Sequence, residues 1–212
     1  MQALQRDGVS LPLAKGRVKK REFNYIRHGT QSLIAGIQIA TGEVYGQIGQ
    51  TRTEEDFVDF IDYIVKGEQE GLNYIFIVDQ LNIHKSEALV RWLANMNHDM
   101  GLLGVKGKYG ILKDMNSRME YLSRKTGRIR FVFTPKHCSW LNLIEVWFSQ
   151  LSKRVLQLGN FMSQDDLAEK VLNYLDYYNR YLAKSFKWSV TKKKETKTML
   201  QKIKRYIAKF MS

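Results

Sequence analysis

Asn73-Tyr74-Ile75-Phe76-Ile77-Val78-Asp79-Gln80-Leu81-Asn82-Ile83-His84-Lys85 is the stretch on which the fold turns. An unbroken apolar run of this length reads as a strand buried on both faces, so helices must cover both sides of its sheet. Its last residue is followed by a carboxylate, Asp79, at the end of the strand where open α/β sheets place their sites. Downstream, Ser86 to Asn97 has helical spacing, with Ala88, Leu89, Trp92 and Leu93 inward. Upstream, Thr53-Glu54-Glu55-Asp56 resembles a capping box, followed at helical spacing by Phe57, Phe60, Ile61, Ile64 and Val65. Before it, Ser32 to Ala40 and Glu43 to Gly49 read as a hairpin turning at Thr41-Gly42.

Beyond residue 127 the pattern resumes. Arg128 to Phe133 is a strand, and Leu141 to Leu158 a helix with Ile144, Phe148, Leu151 and Val155 in its stripe. Ser163-Gln164-Asp165-Asp166 caps a further helix that runs to about Leu182. From about Glu195, Met199, Leu200, Ile203, Tyr206, Ile207 and Phe210 share one face of a basic amphipathic tail. Hairpin, helix, strand, helix, strand, helix is an α/β order with a mixed sheet flanked by helices. Residues 1–31 are polar and basic. Residues 99–127, with glycines at 101, 104, 107 and 110, read as a flexible surface insertion.

Composition narrows the class. The 212 residues fit one domain with a basic tail, and the 44% hydrophobic content is that of a globular chain. A single cysteine excludes a disulfide framework and predicts a cytoplasmic protein. No apolar run reaches membrane-spanning length and no signal-peptide core is visible, so no membrane partner is expected. The net charge of +13 is uneven: eleven of the 34 basic residues, against one of the 21 acids, lie from Arg180 onward. A basic tail on a nearly balanced body predicts a polyanion partner, above all nucleic acid, with a solvated surface helix as the plainer alternative.

A second acid, Glu145, stands just inside the helix opened by Thr134-Pro135-Lys136-His137-Cys138-Ser139-Trp140-Leu141-Asn142-Leu143-Ile144. Carboxylates on a strand end and on a neighbouring helix suit hard divalent cations and phosphodiester chemistry. Taken separately, a solvated loop aspartate and a helix-surface glutamate are the better readings of each, and their joint occurrence in these two strings reverses that. Weaker signals point elsewhere. Gly107-Lys108-Tyr109 lacks the hydroxyl of a phosphate-binding loop, His137-Cys138 has no orienting partner, and Trp140, Trp147 and Phe148 fit core packing better than base stacking.

Val78 to Glu87 resembles the second-aspartate motif of insertion-sequence transposases in the mariner-related DDE superfamily. Phe133 to Glu145 is similar to the segment that carries their third acid, and Glu22 to Thr30 to a stretch before their second strand. The resemblance covers roughly residues 1–190, with 191–212 as a separate tail. It implies a ribonuclease-H-like fold in which three acids hold two Mg²⁺ or Mn²⁺ ions. Asp79 and Glu145 would be catalytic metal ligands, and Asn82, His84, Lys136 and Asn142 supporting or DNA-binding groups. Asn142 and Glu145, three apart, would share one helix face.

The same resemblance implies double-stranded DNA at element ends and target as partner, a homodimer on that DNA, and a place on the bacterial nucleoid. Water would cut the DNA, and the freed 3′-hydroxyl would attack the target. The family's first aspartate, however, belongs to a strand that precedes Gln2-Ala3-Leu4-Gln5-Arg6, and neither Asp7 in a glycine-containing loop nor Asp56 in a cap replaces it. The expectation is therefore a catalytic domain that lacks its first strand and folds poorly alone, its missing part encoded upstream. A catalytically inactive DNA-binding remnant is the rival reading, and a ribonuclease- or resolvase-like nuclease the third.

Overall fold

The computed structural model describes residues 1–6, 25–67, 71–136, 138, 141–157 and 159–186. In chain order these form β1 (Gln2–Arg6), β2 (Tyr25–Thr30), β3 (Ser32–Ile37), β4 (Val44–Gly49), α1 (Glu54–Gly67), β5 (Tyr74–Val78), α2 (Glu87–Met96), α3 (Met115–Leu122), β6 (Ile129–Phe133), α4 (Ile144–Leu151) and α5 (Gln164–Tyr181). The expected basic tail at 191–212 lies outside the described residues.

Three two-stranded pairings make a mixed set. β1 and β2 are antiparallel, β3 and β4 form the expected antiparallel hairpin, and β5 and β6 run parallel with Val78 opposite Phe133. Among the described residues no ladder joins the three pairs, so β3 and β5 each keep an open edge. The β1–β2 ribbon is an addition to the sequence reading, because its residues alternate too weakly to stand out in a basic segment. Gln31 links β2 to β3 and exchanges backbone hydrogen bonds with Met1, extending the β1–β2 ladder to the start of β3.

Two cores hold these parts. The first gathers α1, α2, β5 and β6 around Phe57, Phe60, Leu89, Leu93 and Phe131. The second packs α4 and α5 on β3 and β4 around Trp147, Phe161, Leu167 and Val171. β3 serves both: Ile34 points into the first, Leu33, Ala35 and Ile37 into the second. β5 departs from expectation. Tyr74, Phe76 and Val78 face the first core, but Ile75 and Ile77 are 53% and 42% exposed. α4 and α5 cover the hairpin instead, so only one face of β5 is covered among the described residues.

Residues 99–127 are not a flexible insertion. Leu103, Ile111, Leu112, Tyr121 and Leu122 are buried in the first core, and α3 is capped by Asp114, whose Oδ1 accepts from Ser117 N at 2.8 Å. The glycines serve this compaction: Gly104 has φ +70°, and a Cβ there would meet the Tyr109 carbonyl oxygen at 2.1 Å. Glycine spacing hid a packed turn.

The caps expected at Thr53–Asp56 and Ser163 form, and Ser86, which reads as the first residue of its helix, caps α2 instead. Thr53 and Asp56 bond reciprocally at the start of α1, and those bonds hold the Asp56 carboxyl below the usual carboxylate range. Ser86, itself buried, accepts from Leu89 N at 3.1 Å at the start of α2. Ser86→Ala leaves that buried amide without its partner and should cost about 1–2 kcal/mol, read as a lower urea midpoint with an unchanged slope.

Candidate active site

The parallel ladder places two sequence strings side by side. Thr134 N donates to Val78 O at 2.9 Å, one step past the last strand pair, so the chain leaving β5 and the chain leaving β6 start together. Gln80 then crosses the gap: its Nε2 donates to Thr134 O at 2.6 Å. The segment after Asp79 and the segment leading to Glu145 are thus tied at the carboxyl ends of two parallel strands.

Asp79 is half-buried and held by its own loop. Its Oδ1 accepts from Leu81 N at 3.0 Å and lies 2.9 Å from His84 Nδ1. A short 3₁₀ turn, Asn82–Lys85, brings His84 back to the aspartate. The His84 side chain is 14% exposed and its ring lies 4.5 Å from that of Phe57. Burial pushes its pKa below the ordinary histidine value, and the Asp79 charge offsets only part of that. At neutral pH His84 is therefore an uncharged donor through Nδ1–H, fixing the carboxylate without neutralising it.

Lys85 follows. It is only 7% exposed, and its Nζ donates to Gln80 Oε1 at 3.0 Å. Burial first, and the Lys136 charge second, push its ammonium below the usual lysine range. Both lysines border an open cleft of about 460 Å³ that Gln80 and Asn82 line on one side and α3 on the other. Asn82 and Lys136 are themselves exposed.

The Glu145 side departs from expectation in detail. α4 begins at Ile144, not Leu141, because the preceding residues form tight turns: Leu141 N bonds Cys138 O, and Glu145 N bonds Asn142 O at 3.1 Å. Asn142 therefore sits in the turn before the helix rather than on its face, still linked to Glu145 by that backbone bond. Glu145 is exposed in the first turn of α4, where the helix dipole favours an anion and no side chain caps the free N–H groups. Trp147 is not available to DNA, being 1% exposed in the second core. His137 and Trp140 lie outside the described residues.

The donor types suit a hard divalent cation: two carboxylates with the carboxamides of Asn82 and Asn142 beside them in sequence. Their number is smaller than a two-cation site uses. Among the described residues no three His, Cys, Asp or Glu side chains come together. Gln80, Met115 and Asn116 were not foreseen in this region. Gln80 acts across 54 positions, and the two α3 residues lie in the segment that reads as an insertion.

Comparison with known families agrees with the geometry. The model of the DDE superfamily endonuclease family matches residues 7–168, a span that includes Asp79, Glu145, the helices of the first core and α4, and ends in the first turns of α5. No curated protein and no solved structure matches.

Proposed function

This chain belongs to the DDE superfamily endonucleases, and from that premise we propose that it is the catalytic domain of a mariner-related insertion-sequence transposase. It cuts DNA at element ends and joins the freed 3′-hydroxyl to target DNA, as a dimer on that DNA at the bacterial nucleoid. The Gln80–Thr134 tie carries the reading, because it joins the Asp79 and Glu145 strings at one sheet edge.

Asp79 and Glu145 are the metal ligands, with Asn82 and Asn142 as neighbouring oxygen donors. A bound Mg²⁺ or Mn²⁺ supplies charge stabilisation at the phosphoryl group and a more acidic water. The chain's own residues do the positioning. His84 orients the Asp79 carboxylate through Nδ1–H, while Lys85 and Lys136 present positive charge to the phosphate backbone. A third carboxylate completes the site from a strand seated on the open edge of β3 or β5. The ribonuclease-H-like sheet is then continuous, and the two exposed isoleucines of β5 lie beside new neighbours.

Nicking of duplex DNA ends at millimolar Mg²⁺, by the chain produced together with any segment encoded directly upstream, tests this. Dependence on both metal and Asp79 is the expected result. The second reading, a DNA-binding remnant, is favoured by the absence of a three-acid group among the described residues. DNA binding without nicking in every such preparation would establish it. His84→Ala removes the donor that holds Asp79 and should weaken Mn²⁺ binding about 10–100-fold. Raised Mn²⁺ should restore activity, which a folding defect would not allow.

A further inference from the structure

We propose that the cleft between the Asp79 loop and α3 receives one unpaired nucleotide of the DNA substrate. The inference rests on the DNA-processing role above and assigns a role to α3, which no part of that role required.

The cleft is a built site. Lys85 is over nine-tenths buried, and among the described residues the hydrogen-bond partner of its ammonium, which has three donors, is Gln80. Lys136 borders the same space, and its charge disfavours that of Lys85. The Asp79 carboxylate acts on Lys85 from its own loop, but the two cations still face one cleft, and a phosphate there is stabilised by both. The opposite wall is different in kind. Met115 and Met119 of α3 present polarizable thioethers, a surface that accepts a flat heteroaromatic ring. The carboxamides of Asn82 and Asn116 offer donors and acceptors to a base edge. Charge on one wall and adaptable apolar surface on the other is the chemistry of a nucleotide.

Size selects the unpaired form. A cleft of about 460 Å³ has room for about one nucleotide and not for a duplex, whose major groove alone is ~12 Å wide. A paired helix cannot enter, whereas one nucleotide turned out of its stack can. Turning it out costs least where the base is already unpaired.

The test compares two duplexes by fluorescence anisotropy with the full chain: one fully paired, and one carrying a single unpaired 2-aminopurine nucleotide. The unpaired duplex should bind about tenfold more tightly, about 1.4 kcal/mol. Its 2-aminopurine emission should change on binding. Asn116 is exposed on α3, so Asn116→Glu should fold normally, as circular dichroism can check. It sets a carboxylate against the incoming phosphate and should abolish the preference, weakening the unpaired duplex far more than the paired one. Met115→Glu, at another exposed position, repeats the test. Equal affinity for the two duplexes, or equal loss on both in the variants, overturns the cleft assignment alone. Failure to bind either duplex overturns the DNA-processing role together with it.

Discussion

In a preparation that cleaves DNA, Asp79→Ala should lower the nicking rate about a thousandfold or more. Losing a metal ligand forfeits several kcal/mol of transition-state stabilisation, and each 1.36 kcal/mol is a factor of ten. Glu145→Ala should match it on the proposal that both acids hold one cation, which the Gln80–Thr134 bond and the shared β5–β6 ladder support by starting the two strings side by side. The double variant should be little worse than either single one, as expected for residues acting as a unit. Salt-dependent DNA binding should survive all three, since it rests on Lys and Arg. Rates and affinities from the same samples separate the two effects.

The largest stability effect belongs to Trp147. It is 1% exposed, and its ring contacts Phe148, Tyr174 and Tyr178, joining α4 to α5. Trp147→Ala leaves a large cavity in the second core and should cost about 3–5 kcal/mol. That is a large fraction of the ~5–15 kcal/mol that keeps a domain folded. Trp147→Phe keeps most of the ring contacts and removes an indole N–H that has no acceptor among the described residues, so its cost should be less than half as great. Urea unfolding followed by tryptophan-independent circular dichroism reads both. The effect on metal binding should be indirect: loss of α4 anchoring displaces Glu145, and Asp79 stays in place.

Local chemistry was legible where a residue's partners are near in sequence. Ser163 caps the helix that follows it, and the Thr53–Asp56 box forms both of its bonds. Asp79 reads as a strand-end acid because the apolar run before it leaves no other register. What escaped depends on distant contacts. Gln80 reaches Thr134, Lys85 is buried under α3, and the turn at Gly104 folds Leu103, Ile111 and Leu112 into a core. None of these leaves a period in the sequence. Even the buried-strand reading of Ile75 and Ile77 was right about pattern and, among the described residues, wrong about cover, because α4 and α5 pack on β3 and β4. No helix among the described residues is long and apolar enough to cross a membrane.

The site's most exposed claim is that two strings 66 positions apart, at Asp79 and Glu145, bind one divalent cation. Fe²⁺ substituted for Mg²⁺, with ascorbate and peroxide, cuts the polypeptide backbone wherever the bound metal lies. Two clusters of cuts are expected, around residues 79–85 and around 142–145, both removed by excess Mg²⁺ and both lost in Asp79→Ala. Cuts at only one string, or cuts that persist unchanged in that variant, would contradict it.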